Sequence, residues 1–180
     1  MFTPPHWNHK NIKFPKEEID IVISKLKTIP VRGSLSKNHS SWFPNSIKPE
    51  SIWNKKYSKI LADILSNMGI EQHGTYNYTF WAQLYLDGGT HKVHNHIPDF
   101  EISFVHFLKV PDKPLFRFTN TVGDFYYPKQ KTGDIVCFPS WVWHEVIAND
   151  TDTERLVVAG NVHITQMFEA VRGDYDASYR

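Results

Sequence analysis

The chain has 180 residues, 41% of them hydrophobic, and its 20 basic and 19 acidic residues nearly balance. This length favours a single domain with a sizeable buried core. The near-zero net charge argues against a dedicated nucleic-acid binder or membrane-surface binder, because both need a basic excess. No run of about 18 apolar residues is present, so no transmembrane helix is predicted.

Two features of the sequence predict a cytoplasmic location. Cys137 is the single cysteine, which excludes an internal disulfide and fits a reducing compartment. The N-terminal stretch "MFTPPHWNHKNIKFPKEE" is polar, is interrupted by proline and lacks the apolar core of a signal peptide. The apolar neighbours of Cys137 predict that its thiol is buried and unreactive.

Two amphipathic helices are predicted in the first third of the chain. The first lies within residues 15–30 and the second runs from about Ser51 to Met68, with Gly69 as its stop. Their apolar stripes are Ile19, Val22, Ile23 and Leu26 in the first helix, and Trp53, Tyr57, Ile60, Leu61, Ile64 and Met68 in the second. The Ser-, Asn- and Pro-rich segment between the helices, to Glu50, is predicted to be loop.

The rest of the chain has the period of two that is typical of strands. In "YTFWAQLYL" the side chains of Trp81, Gln83 and Tyr85 share one face. Short β-rich runs follow, separated by turn residues: "EISFVHFLKV", "LFRFTN", "GDFYYP", "GDIVCFPSW" and "ERLVVAGNVHI". This pattern predicts a sandwich or jelly roll with two helices packed outside it. A single domain spans 1–180, with a helical part at about 1–70 and a β core at about 76–165.

Three histidines fall within six residues of the stretch "THKVHNHIPDFE", residues 90–101. If His94 and His96 lie on a strand, they point to the same face and can chelate one ion. Imidazole suits iron, zinc, copper and nickel. His144, in "FPSWVWHEVIAND", is the best candidate for a distant third ligand. His91 is interpreted as a loop residue or as a partner of a ligand, since ligating imidazoles need such partners.

Arg155 opens the strand that follows His144. Its side chain shares a face with Val157, Ala159 and Asn161. A guanidinium among small and apolar side chains is suited to a bidentate grip on a carboxylate. The alternative is an ordinary surface ion pair with Asp152 or Glu154.

These motifs resemble those of a known enzyme superfamily. "WAQLYLDGGTHKVHNHIPDFEISFVHFLKVP" and "GDIVCFPSWVWHEVIANDTDTERLVVAGNV" are similar to the 2-oxoglutarate- and iron(II)-dependent oxygenases with H-x-H-P and F-P-S-W-x-x-H motifs. The resemblance covers residues 81–162. It implies a mainly β, double-stranded β-helix fold of the cupin-like, jelly-roll type, and an Fe(II)- and 2-oxoglutarate-dependent dioxygenase, a hydroxylase. The products would be succinate, CO2 and a hydroxylated substrate.

The resemblance also implies roles for individual residues. His94 matches the proximal metal ligand, His144 the distal ligand and Arg155 the cation that pairs with the C5 carboxylate, so these three form the predicted catalytic site. Tyr85 and Asn161 are further candidates for binding the cosubstrate.

Two positions depart from the superfamily pattern. The usual acid two residues after the proximal histidine is replaced by His96, and the usual serine two residues after the arginine is replaced by Val157. The third metal ligand is therefore open between His96, Asp99 and Glu101. The metal preference for imidazole favours a set of His94, His96 and His144.

Two other classes of function fit the sequence. One is a cupin-type metalloprotein that does not use 2-oxoglutarate, with Glu101 as a ligand, and the other is a non-catalytic jelly-roll binding module. For the enzyme, the expected substrate is a small molecule or a peptide. The loop from residue 32 to residue 50 and the segment 112–131 are predicted to form its rim. The sequence is compatible with a homodimer.

Overall fold

The computed structural model describes residues 2–31, 37–69 and 74–167. Two helices, α1 (Lys16–Leu26) and α2 (Asn54–Asn67), precede most of the strands, and a short 3-10 helix, Pro49–Trp53, leads into α2. The strands are β1 (Trp7–His9), β2 (Asn38–Ser40), β3 (Gly74–Tyr85), β4 (His91–His94), β5 (Ile102–Lys109), β6 (Phe116–Thr119), β7 (Phe125–Tyr126), β8 (Ile135–Pro139), β9 (His144–Val146) and β10 (Arg155–Met167). Both predicted helices and the mainly β core are confirmed.

The strands form two antiparallel sheets. The larger sheet has six strands in the order β1-β8-β5-β10-β3-β2, and the smaller has four in the order β4-β9-β6-β7. β5 lies in the middle of the larger sheet and is buried along nearly its whole length. This fits a strand that is covered on both faces.

Two layers of apolar side chains hold the fold together. One layer packs the helices against the outer face of the larger sheet and contains Leu26, Trp53, Tyr57, Leu84 and Leu156. The other fills the space between the two sheets and contains aromatic and β-branched residues such as Phe107, Phe116, Phe118, Phe138 and Val157. Adjacent residues Leu84 and Tyr85 belong to different layers, as the alternation of side chains along a strand requires.

Two short strands lie where the residue pattern predicts none. β1 occupies the proline-rich N-terminal stretch and pairs with β8, and β2 lies inside the segment predicted to be loop and pairs with β3. The loop prediction was therefore wrong for residues 38–40. Three residues of mostly polar character are too short to show a period, and pairing with a longer strand supplies their hydrogen bonds. Residues 32–36 of the predicted loop lie outside the described residues.

Candidate metal and cosubstrate site

Three imidazoles converge between the open edges of the two sheets. One ligand nitrogen from each of His94, His96 and His144 can be chosen so that all three lie within 4.8 Å of one another. His94 ends β4, His144 begins β9, and the two residues are cross-strand partners. Their ring centroids are 4.2 Å apart. The strand pairing thus brings together two residues that are far apart in the sequence.

Backbone carbonyls fix the tautomer of two of these rings. Nδ1 of His94 lies 2.7 Å from the Lys92 carbonyl oxygen, and Nδ1 of His144 lies 2.9 Å from the Val142 carbonyl oxygen. A carbonyl can only accept, so in each ring Nδ1 carries the proton and Nε2 keeps its lone pair. Such an outer hydrogen bond orients a metal-ligating histidine.

The site keeps its histidines neutral. Burial lowers the pKa of His96 to about 4 and lowers the pKa of His144 well below its ordinary value, with the neighbouring histidines adding to both effects. Burial also lowers the pKa of His94. Neutral imidazole is the form that binds metal ions, so these rings are available as ligands at neutral pH.

His96 reaches the cluster by a different route from the one predicted. β4 ends at His94, so His96 does not lie on a strand, and the expectation that the two rings share a strand face was wrong. Its backbone N–H instead donates to the Ser140 carbonyl oxygen at 2.9 Å. Its ring stacks on His144 with centroids 5.2 Å apart. Pro98, two residues on, cannot donate a ladder hydrogen bond, which explains the early end of the strand.

The two carboxylates considered as ligands lie elsewhere. Oε2 of Glu101 accepts a hydrogen bond from the backbone N–H of Ile164 at 2.8 Å and lies 3.2 Å from Nδ1 of His163. Asp99 is exposed in the turn after His96. Neither carboxylate joins the three histidines in the cluster.

His91 begins β4 and stacks on His94. The two ring planes are 19° apart and their centroids 4.3 Å apart. Burial, followed by the charges of His94, His96 and Arg155, lowers the pKa of His91 to about 4. His91 therefore lies beside the cluster, close to the guanidinium and in contact with a candidate ligand. Its place on β4 shows that the loop alternative was wrong, and its role as a partner of a ligand stays a prediction.

Arg155 is buried on the inner face of β10. Only 1% of its surface is exposed, and its guanidinium carbon lies 4.7 Å from the centre of the Tyr85 ring. None of Nε, Nη1 and Nη2 makes a hydrogen bond of normal geometry within the part of the chain that the structure describes, and the Tyr85 hydroxyl is the polar group that acts on the guanidinium. The alternative surface pair was wrong, because the neighbouring Glu154 pairs with Lys27 and Lys109.

Three unpaired donors on a buried cation require an anion. A buried charge is normally paired, since desolvation without a partner is costly. A carboxylate with two oxygens matches the fork of a guanidinium. Tyr85 lies beside Arg155, and both the positive charge of Arg155 and a hydrogen-bond interaction with its guanidinium oppose the rise that burial causes in the pKa of the Tyr85 hydroxyl. The donor set thus fits one end of a dicarboxylate, with the histidines available for a metal ion.

Two connected spaces run from Arg155 past the histidines to the surface. An inner cavity of about 30 Å³ is lined by Tyr85, Arg155, the histidines and apolar side chains. An outer groove of about 500 Å³ is lined partly by Trp42, Phe43 and Lys92. Trp81, Gln83, His91, His94 and His96 line both spaces. Because the inner cavity is about the size of one water, a five-carbon diacid must extend into the groove or displace side chains.

Asn161 lies beyond the inner cavity. Its Oδ1 accepts a hydrogen bond from Ser103 Oγ at 2.9 Å, and Ser103 Oγ also contacts Ser140 Oγ at 2.9 Å. Nδ2 of Asn161 is buried and has no partner among the residues described. The carbonyl oxygen of Ser140 also accepts a hydrogen bond from the backbone N–H of His96. The network therefore helps to position a residue of the metal cluster, rather than the guanidinium of Arg155.

Some residues of the groove were not singled out by the sequence. Trp42 and Phe43 fall in the polar segment predicted to be rim, where two adjacent aromatics were the available signal. In the second predicted rim segment, 112–131, Phe116 lines the inner cavity and no residue lines the groove.

Among the described residues, no helix has the length and apolar character needed to cross a membrane.

Comparison with known proteins adds independent information. A family model described as "Putative 2OG-Fe(II) oxygenase" matches residues 114–161, the segment that contains His144 and Arg155. This segment thus matches the 2OG-Fe(II) oxygenase family. The resemblance predicted from the sequence is confirmed, and the predicted enzyme class and its cofactors, iron(II) and 2-oxoglutarate, are those of the matched family. A sequence search of curated proteins finds no significant match.

Several solved structures share the fold of this chain. A prolyl-4-hydroxylase from Pseudomonas putida is 17% identical, with a TM-score of 0.63 over 91% of this chain and 95% of that chain. HygX from Streptomyces hygroscopicus, solved with nickel and 2-oxoglutarate bound, is 10% identical, with a TM-score of 0.66 over 91% and 84%. A prolyl hydroxylase from Trichoplax adhaerens, in complex with a peptide fragment of hypoxia inducible factor, is 12% identical, with a TM-score of 0.61 over 88% and 83%. The double-stranded β-helix fold is confirmed.

Proposed function

We propose that this chain is a non-haem iron(II)- and 2-oxoglutarate-dependent hydroxylase. His94, His96 and His144 hold the iron, and Arg155 holds the distal carboxylate of 2-oxoglutarate. When bound, the two cofactors supply the oxidising chemistry, in which a substrate C–H and O2 are converted with 2-oxoglutarate to the hydroxylated substrate, succinate and CO2.

One observation carries this proposal. Arg155 is a buried cation whose three guanidinium nitrogens lack partners among the described residues, and it lines the same small cavity as three neutral histidines. A carboxylate would pair with the donors of Arg155, and a metal ion would bind the neutral nitrogens of the histidines. A single ligand that binds both, such as a 2-oxo dicarboxylate, accounts for their proximity.

The chain's own residues bind, orient and shield. The Lys92 and Val142 carbonyls hold the imidazole lone pairs in position. Tyr85 lies next to Arg155, and its hydroxyl would donate a hydrogen bond to the carboxylate. In the superfamily pattern a serine makes this hydrogen bond, and Val157, which stands at that position here, has no hydroxyl. Apolar side chains such as Phe116 and Phe138 line the cavity and keep water from the reacting centre.

The two other classes of function are less well supported. The cupin-type set needs Glu101 beside the histidines, and Glu101 instead lies with His163 and Ile164. A cupin site also has no use for a buried arginine. A non-catalytic module would gain nothing from three neutral histidines and an unpaired cation, since buried groups of this kind cost stability.

An anaerobic titration of the metal-free protein with iron(II), then with 2-oxoglutarate, tests the proposal. The visible charge-transfer band of the chelate is expected in wild type and in Glu101→Ala. It is expected to be lost in His96→Ala and to need at least about tenfold more 2-oxoglutarate in Arg155→Ala, since a charge-assisted bidentate pair is removed.

The matched controls are His163→Ala, which removes an exposed imidazole, and Arg117→Ala, which removes an arginine paired with Glu145 outside the site. Both should keep the band. A wild-type protein that binds iron but shows no band would contradict the use of 2-oxoglutarate. A band unaffected by Arg155→Ala would contradict the assignment of the carboxylate.

The substrate, the cellular location and the oligomeric state of the protein are further parts of the proposal. A peptide or small-molecule substrate fits a groove that opens beside the histidines. A cytoplasmic location is supported by the single cysteine of the sequence, Cys137, which fits a reducing compartment. The homodimer stays a prediction, and light scattering on the purified chain would test it.

A further inference from the structure

The outer groove has the dimensions of a small-molecule site. Its volume of about 500 Å³ falls in the range of roughly 300–1,000 Å³ that such sites occupy. It ends on His94 and His96, so a ligand seated in it would reach the metal cluster. Its other lining residues come from β2, from the segment after β2, from β3 and from β4 with the residue before it.

The charges along this path are all positive. No Asp or Glu among the described residues lines the inner cavity or the groove, and the formally charged side chains there are Arg155 and Lys92. Arg155 is assigned to the cosubstrate. Lys92 is exposed, and its ammonium forms no ion pair with another described residue.

The replacement of the usual acidic ligand by His96 removes a further negative charge. This step rests on the proposed function. Iron(II) on three neutral imidazoles keeps two positive charges, which the two carboxylates of 2-oxoglutarate balance. Arg155 and Lys92 then leave the loaded site with an excess of two positive charges. A site with this balance attracts anions and repels cations.

One wall of the groove offers an aromatic surface. Trp42 is 50% exposed and meets the buried Trp81 edge to face, with ring centroids 4.4 Å apart. The contact with Trp81 fixes the orientation of the Trp42 indole, and the exposed half of Trp42 offers a stacking surface for another flat ring. Phe43 extends the same apolar wall.

We propose that the groove binds a small carboxylic acid that carries a flat ring, as the primary substrate of the hydroxylase. The ring stacks on Trp42 and the carboxylate faces Lys92, so that the rest of the ligand points towards His94 and His96. The substrate class is thus an anion, in contrast to a neutral peptide segment or a polyamine.

Binding of four matched probes tests this substrate class. Phenylacetate is the ring with a carboxylate, phenylacetamide its neutral counterpart, 2-phenylethylammonium the cation, and acetate the anion without a ring. Dissociation constants are measured by ligand-observed NMR on the full chain, loaded anaerobically with iron(II) and 2-oxoglutarate and also metal-free.

In wild type, phenylacetate is expected to bind about two- to fivefold tighter than phenylacetamide, as a partly screened charge pair provides, and acetate and the ammonium to bind weakest. Lys92→Met should remove the preference for the carboxylate over the amide. Trp42→Ala should weaken both ring probes by a similar factor. Lys59→Met is the matched control, because Lys59 lines a separate surface pocket on α2, and it should leave every constant unchanged.

The chelate band, followed during the same titrations, separates the two levels of the proposal. If the band forms and phenylacetate shows no advantage over phenylacetamide, or if Lys92→Met keeps that advantage, the substrate class is wrong while the hydroxylase stands. If the probe bleaches the band, it competes at Arg155 and the groove assignment fails. If no band forms in the absence of probe, the hydroxylase itself fails, whatever the groove binds.

Discussion

His94 and His144 are direct partners across the β4–β9 ladder, with ring centroids 4.2 Å apart. Backbone pairing therefore sets their separation, and backbone carbonyls set their tautomers. The third histidine and the arginine are held differently. His96 depends on one hydrogen bond to Ser140. The guanidinium of Arg155 has the Tyr85 hydroxyl beside it but no hydrogen bond of normal geometry in the described chain. Variants of His96 and Arg155 therefore test the proposed site most directly.

Arg155→Met is expected to stabilise the ligand-free protein while it weakens the response to cosubstrate. Replacing a buried, unpaired charge with an apolar side chain of similar length should raise the free energy of unfolding by about 1–3 kcal/mol. Wild type should gain about 2.7 kcal/mol at a 2-oxoglutarate concentration of 100 Kd with metal present, and Arg155→Met should gain about 1.4 kcal/mol or less at the same concentration, because its affinity falls at least about tenfold. Urea unfolding with and without cosubstrate measures both effects.

Arg117→Met is the matched control for this experiment. The Arg117 guanidinium lies 2.7 Å from Glu145 and 3.5 Å from the centre of the Phe125 ring. Its loss should lower stability by up to about 1 kcal/mol and leave the gain from 2-oxoglutarate intact. A loss of stability in Arg155→Met as large as that in Arg117→Met would show that Arg155 has a partner in the ligand-free protein.

His96→Asp restores the acid that the superfamily pattern has at this position. A carboxylate two residues after His94 completes a two-histidine, one-carboxylate set, so iron(II) binding should be retained. His96→Leu should weaken iron(II) at least about tenfold, since even losses outside the ligand shell have effects of that size. Iron affinity is measured by competition with a coloured chelator under anaerobic conditions, with His163→Leu as control. Wild-type affinity in His96→Leu would remove His96 from the ligand set.

Side-chain alternation along the strands predicts much of this site. The period of two places Tyr85 with Gln83 on one face of β3, and Arg155 with Val157 on one face of β10. Alternation is a local property of a strand, so a single sequence reveals it. The two faces lie side by side in the fold, because β3 and β10 are paired with Arg155 opposite Tyr85.

Other parts depend on contacts that a single sequence does not encode locally. β2 is a three-residue edge strand, and its pairing with β3 is what brings Trp42 to the groove. The position of His96 depends on Ser140, more than forty residues away. Pro98 indicates in the sequence that a strand ends nearby. The position of the chain at His96 depends on the carbonyl oxygen of Ser140, which the local sequence does not indicate.

Cys137 should be inert in the folded protein. The thiol is 1% exposed, and burial raises its pKa to about 12, so almost no reactive thiolate is present at neutral pH. An aromatic disulfide reagent should react no faster than the protein unfolds. The rate should rise to that of a free thiol in denaturant. Rapid stoichiometric labelling under native conditions would show that β8 opens locally.

His106 should make stability fall in mildly acidic solution. Its Nδ1 lies 2.8 Å from the Tyr57 hydroxyl and its Nε2 lies 2.8 Å from the Ile12 carbonyl oxygen, so a neutral ring satisfies both contacts. Burial lowers its pKa to about 4, against an ordinary value of 6.5. Between these values the unfolded chain binds a proton that the folded chain does not. The contribution of the neutral His106 to the free energy of unfolding is therefore complete above pH 6.5 and is lost as the pH falls towards 4.

The size of this contribution is about 3 kcal/mol. The difference in unfolding free energy between wild type and His106→Gln should shrink by up to that amount from about pH 7 to about pH 4, measured by urea unfolding. Phe14→Leu is the control, because Phe14 packs on the same imidazole at 5.1 Å but carries no titratable group. Its difference from wild type should stay constant with pH. If the His106→Gln difference were equally constant, the imidazole would titrate alike in both states.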